Sequence, residues 1–97
     1  MFRLIRKLLR KRYKTGCEYW IYTKDIHIDP SWRQHDVGEN KMQRKISYWR
    51  RTGEFQSKVF LDRDFNLLDG YSTFRIAEIY DIPKIPVYFV DKGANEK

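Results

Sequence analysis

LLDGYSTFRIAEIYDIPKIPV, residues 67–87, carries in one stretch the end of a strand, a glycine turn, a helix and the start of a further strand. Leu67 and Leu68 close the first strand, Asp69-Gly70 makes the turn, and a helix is expected over 71–81, until Ile82-Pro83-Lys84 breaks it. Phe74, Ile76, Ala77, Ile79 and Tyr80 surround most of that helix, so burial on more than one side is expected. The turn admits two readings. A glycine at a helix start exposes unpaired N–H groups and the positive end of the dipole, which suits phosphate, and Ser72 and Thr73 add hydroxyl donors. Equally, Asp69 or Ser72 caps the helix and Gly70 permits a tight approach without any ligand, and spacing alone favours this plainer reading.

Working outward, IPVYFVD (85–91) is a continuous apolar run, expected as a buried strand beside Leu67-Leu68. KVFLDRDFNLLDG (58–70) reads as two short strands, 58–61 and 67–69, joined by an Asp/Asn-rich turn. The left-handed position of that turn falls to Phe65 or Asn66, with Asn66 the better suited. Asp62-x-Asp64-x-Asn66 has the opening spacing of a calcium loop. Leu67 stands where such a loop turns on Gly, and Thr73 where it needs a bidentate acid, so an ordinary hairpin turn is expected and no metal.

NKMQRKISYWRR (40–51) places Met42, Ile46 and Trp49 at helical spacing, with Lys41, Arg44, Lys45, Arg50 and Arg51 on the other positions, and Thr52-Gly53 as the stop. Before it, PSWRQHDVGEN (30–40) is an irregular crossing with one helical turn at Ser31-Trp32. EYWIYTKDIHID (18–29) suits a strand that ends before Pro30. His27 and His35 stand in no metal-ligand or catalytic spacing and read as strand and loop residues, and Cys17 reads as structural.

At the N-terminus, MFRLIRKLLRKRYK (1–14) puts Phe2, Leu4, Ile5, Leu8, Leu9 and Tyr13 on roughly half of a helical wheel, with the basic residues opposite except Arg12. The expected organisation is a basic amphipathic helix over 1–15, one domain over 16–92 and a frayed tail over 93–97. The seven basic residues of 1–14 equal the whole net charge of +7 on the 97-residue chain, so the body is formally neutral. Such asymmetry points to an anionic partner met chiefly by one element. The single cysteine excludes an internal disulfide. No apolar run approaches the roughly 20 residues of a membrane span. A cytoplasmic protein without a cofactor is expected.

The order strand, loop, basic helix, TGEF, hairpin, LLDGYSTFRIAEIYDI, IPVYFV resembles the ParB/sulfiredoxin-like fold over residues 26–90. In that superfamily, Leu-x-Asp-Gly, an aromatic or His, any residue and Arg, followed by a helix and Ile-Pro-Val, form a nucleotide or phosphate pocket. Leu68, Asp69, Gly70, Tyr71, Ala77, Ile82, Pro86 and Val87 match that frame. Thr73 stands at the Arg position of the active members. Arg75 lies about 200° further round the helix, and Tyr71 takes the place of the sulfiredoxin cysteine. The resemblance implies an α+β domain, a small mixed sheet with packed helices. It also implies an anion site at Asp69, Gly70, Tyr71, Ser72 and Thr73, with Arg75 as a further candidate, and binding without turnover.

The first expected function is therefore sequence-independent nucleic-acid binding. The phosphate contacts would be Arg3, Arg6, Lys7, Arg10, Lys11, Lys14, Lys41, Arg44, Lys45, Arg50 and Arg51, with Tyr13 or Trp49 for stacking. Two alternatives belong to other classes. One is a nucleotide-dependent phosphoryl-transfer or nuclease enzyme centred on residues 69–73. The other is an interaction protein, such as a mobile-element modulator, whose N-terminal helix docks into a protein partner or lies on an anionic membrane surface.

Overall fold

Residues 84–89 alternate Ile85, Val87 and Phe89 with Lys84, Pro86 and Tyr88, which gives a strand one buried and one open face. In the computed structural model, which describes residues 13–91, this segment is a central strand of the sheet. The expected N-terminal helix, with Arg3, Arg6, Lys7, Arg10 and Lys11, and the tail over 93–97 lie outside the described residues.

The elements run β1 (Glu18–Tyr22), a 3-10 turn (Thr23–Asp25), α1 (Ser31–Gln34), α2 (Glu39–Thr52), β2 (Val59–Leu61), β3 (Leu67–Asp69), α3 (Tyr71–Ile79) and β4 (Lys84–Phe89). Across the sheet the order is β1-β4-β2-β3, with β4 antiparallel to β1 and parallel to β2, and β2 antiparallel to β3. The mixed α+β class expected from sequence is the class observed.

Helix α3 is buried on two sides, as its composition requires. Tyr71, Phe74 and Ala77 pack onto Val59, Leu61, Ile85, Val87 and Phe89 of the sheet, while Ile76 faces Met42 and Ile46 of α2. Each fully buried aliphatic or aromatic side chain contributes about 1.5–3 kcal/mol relative to its exposed state. Ile79 and Tyr80 correct the expectation, being 49% and 37% exposed. Ile79 is the last residue of the helix and lies on its open side, and Tyr80 caps it before Asp81 turns the chain at φ 53°.

The first strand stops at Tyr22, well short of Pro30. Thr23 donates its N–H to the Pro83 carbonyl and its hydroxyl to the Ile82 carbonyl, both at 2.8 Å, and this turns the chain away from β4. Residue 27 then crosses to the far edge, where His27 N–H bonds Phe65 O and Leu67 N–H bonds His27 O. That edge of β3 is therefore occupied, and β4 lies beside β1 and β2, not beside Leu67-Leu68 as expected.

At the hairpin, Phe65 holds the left-handed position at φ 67°, not Asn66. The Asp62 carboxylate explains the exchange: it accepts the N–H groups of Asp64 and Asn66 and the Asn66 side-chain amide, which keeps Asn66 extended. The Phe65 ring packs 5.4 Å from that of Phe89. Tyr13 stacks on Phe89 at 4.4 Å and Thr15 bridges to the same residue, so the start of the described chain lies against the sheet. Cys17 is free and exposed.

Candidate functional site

The strand–turn–helix at residue 70 is fixed by sterics before any ligand is considered. Gly70 has φ 91°, and a Cβ there would lie 2.7 Å from Val59 Cα and overlap the Lys58 carbonyl. Asp69 Oδ1 accepts the Gly70 N–H at 2.8 Å, and the Gly70 carbonyl accepts the N–H groups of Thr73 and Phe74. The N–H groups of Tyr71 and Ser72 have no partner among the described residues and lie at the positive end of α3.

A cleft of about 530 Å³ opens at this helix end, a size that accommodates a small-molecule ligand. Its polar lining includes Lys41, Lys45, Lys58, Asp36, Asp69 and Ser72, and the aromatic side is Trp32 stacked on Tyr71 at 5.3 Å. Lys45 contacts the Ser57 hydroxyl. Burial first, then the charge of Lys41, push the Lys45 ammonium below its usual range, and Asp69 pulls the other way. Lys41, Lys45 and Lys58 stand against Asp36 and Asp69, so the lining carries a small excess of positive charge.

The expected site residues separate. Asp69, Gly70, Tyr71 and Ser72 line the cleft, together with Lys41 and Lys45 of α2. Thr73 does not: it is 2% exposed and donates its hydroxyl to the Ser57 carbonyl at 2.7 Å. Arg75 is also directed elsewhere. Its Nη1 pairs with Glu78 at 3.0 Å and its Nε lies 3.4 Å from the Asp36 carboxylate. Arg33 grips the same Glu78 through both terminal guanidinium nitrogens, Nη2 at 2.7 Å and Nη1 at 3.2 Å, and this pairing, against burial, holds the Glu78 carboxyl below its usual range. The Tyr71 hydroxyl is buried beside this network without closing a hydrogen bond, and burial, then the Asp36 charge, raises its pKa.

The remaining basic residues of α2 point in two directions. Arg44 and Arg51 are exposed on the outward side with Tyr48, whose ring lies 5.7 Å under the Arg51 guanidinium. Arg50 turns to Tyr80, hydrogen-bonding its hydroxyl at 3.0 Å. Lys14 is exposed beside Tyr19. Tyr13 and Trp49, expected as stacking residues, are both engaged within the fold, Trp49 lying parallel to Phe55 at 6.1 Å and against Tyr80 at 5.1 Å. Among the described residues, no group of three or more His, Cys, Asp or Glu side chains is placed to hold a metal ion.

Lys58, Ser57, Trp32 and His35 are cleft residues that the sequence reading passed over. The available signal was Gly70 itself: a glycine forced by close approach implies a backbone against it, and here that backbone is Lys58-Val59.

No family model matches the chain, and no curated protein matches it in sequence. Among solved structures, it is similar to a pNOB8-like ParB N-domain in two determinations. The TM-score is 0.64 in each, with 16% and 17% identity over 77% and 84% of this chain. It is also similar to the C-terminally truncated chromosome-partitioning protein ParB from Caulobacter crescentus, solved with CTP-γ-S, with a TM-score of 0.61 and 11% identity over 78% of the chain. The chain spans 30% of the first two structures and 45% of the third. Its sheet and helices thus make up a ParB N-domain-like fold.

Proposed function

We propose that the chain is a non-catalytic, cytoplasmic nucleic-acid-binding protein of ParB-like fold that engages the phosphate backbone through its basic N-terminal segment and the outward side of α2. The observation that carries this reading is the placement of Arg44 and Arg51. Both are exposed on one side of α2, neither forms an ion pair among the described residues, and Glu39 is the only acid in the helix. The seven basic residues of 1–14 supply the rest of the charge. Phosphate contacts release counterions, so the affinity should fall linearly on a log–log plot with salt, by about 0.9 per phosphate engaged. The test is duplex DNA binding by the full chain across a salt series, with Arg44→Gln/Arg51→Gln alongside. Absent or salt-insensitive binding would remove the reading.

A second reading is favoured by the cleft. Lys41 and Lys45 line the same cleft as Tyr71 and Ser72, whose N–H groups are open, an arrangement suited to a nucleoside polyphosphate, and the similar Caulobacter crescentus protein was solved with CTP-γ-S. No guanidinium lines the cleft among the described residues, so charge developing on a transferred phosphoryl group would meet less stabilisation than an Arg supplies. Binding without turnover follows. Calorimetric titration with CTP and ATP, compared with Lys41→Ala, tests it: heat that the variant weakens supports the reading, and no heat with the wild type removes it.

A further inference from the structure

The side of the sheet away from α3 is uncovered by any described element and carries aromatic rings in register. Trp20 and Tyr22 alternate outward along β1, opposite Pro86 and Lys84 of β4. Tyr88 of β4 is in turn opposite Phe60 of β2, with ring centroids 5.8 Å apart. Their inward neighbours Ile21, Val87 and Val59 are core residues, so strand alternation commits the rings to the open side. Trp20 and Tyr22 are 59% and 47% exposed, the two most exposed aromatic side chains among the large exposed hydrophobics.

Cations accompany the rings. Lys84 Nζ lies 4.6 Å from the Tyr22 centroid, Lys24 Nζ 5.7 Å from the same ring, and Lys58 Nζ 5.3 Å from that of Tyr88. None of these lysines forms an ion pair among the described residues. The acids on this side are Glu18, opposite Tyr88, and Asp69, opposite Phe60.

We propose that this open sheet face is a binding platform for a single nucleic-acid strand, with bases stacked on Trp20 and Tyr22 and phosphates held by Lys24 and Lys84. Flat rings exposed on a sheet offer every base a π-face, and the ammonium groups that now lie over Tyr22 are within a side-chain rotation of a phosphate beside a stacked base. A second copy of the chain fits the charges poorly. With Lys24, Lys58 and Lys84 against Glu18 and Asp69 the face keeps a net positive charge, which a two-fold contact through it would set against itself. A duplex keeps its bases stacked inside and offers these rings nothing. The site is separate from α2 and stands or falls independently of duplex binding there.

The test measures anisotropy of labelled short single-stranded DNA and RNA, and of the corresponding DNA duplex, with the full-length chain. Trp20→Ala/Tyr22→Ala should weaken both single strands about tenfold or more, leave the duplex affinity unchanged, and keep the thermal midpoint, because neither ring is in the core. Trp20→Phe keeps a stacking ring, and should retain most of the affinity if the double variant proves unstable. Single-strand binding that ignores the double variant overturns the proposal. So does an equal fall for the duplex, or a wild-type dimer in sedimentation that the double variant dissociates.

Discussion

Thr73 donates its hydroxyl to the carbonyl of Ser57 at 2.7 Å, and this bond faces the third residue after Gly70 into the domain, away from the cleft. The residue at the Arg position of the resembled pattern is thus a structural tie between α3 and the approach to β2. Thr73→Val should cost about 1–2 kcal/mol by leaving a buried carbonyl unpaired. Thr73→Arg should cost more, by forcing a guanidinium into the core, and should gain no nucleotide affinity. Urea denaturation and a nucleotide titration check both; an arginine variant of wild-type stability that binds nucleotide would show the position open to the cleft.

Gly70→Ala combines left-handed strain with overlap against the backbone of Lys58 and Val59, and should cost about 2–5 kcal/mol. Gly38 is the control. Its φ is −60° and nothing lies within 4 Å of a Cβ placed there, so Gly38→Ala should cost under about 1 kcal/mol, the poorer N-cap being partly offset by the entropy removed from the unfolded chain. Comparable midpoints for the two variants would remove the close-approach argument.

The Glu78 carboxyl, hydrogen-bonded by Arg33 and Arg75, titrates below its ordinary 4.5. A depressed carboxylate contributes stability that is present in full above pH 4.5 and lost as the pH falls through its folded value. Because all three side chains are partly exposed, Glu78→Gln should cost only about 0.5–1 kcal/mol at neutral pH, and the gap from wild type should close in acid. A gap that widened on acidification would have the wrong sign.

Lys45 is held below its ordinary 10.5 by burial and by Lys41. Removing that neighbouring charge with Lys41→Ala should move the Lys45 ammonium upward, and binding of a polyphosphate in the cleft should do the same. Side-chain NMR of the lysine ammonium reads both changes. A Lys45 that ignored both Lys41→Ala and added polyphosphate would show that the cleft lysines do not share one site.

Residues 67–87 were legible because turn, helix and strand each carry a local signal: a glycine, an apolar surround, a proline break. The helix over α2 was legible for the same reason, Met42 and Ile46 being its buried residues. Sheet order was not, since β2 and β3 have three residues each and nothing local says which edge β4 joins. The decision rests on His27, far from β4 in the chain, bonding to Phe65 and Leu67. The same holds for the site. Asp69, Gly70, Tyr71 and Ser72 could be read as a motif, whereas Lys58 and Trp32 reach the cleft only through tertiary packing, and Arg75, paired with Glu78 and Asp36, does not line it. The basic residues of α2 looked like one surface in sequence, and helix rotation divides them among the cleft, the outward side and Tyr80.

The salt dependence of duplex DNA binding by the full chain tests the central claim most directly. A steep linear fall of log affinity with log salt is predicted, with the slope for Arg44→Gln/Arg51→Gln shallower by about one unit per phosphate contact removed. A flat salt response, or a double variant with the wild-type slope and affinity, would contradict it.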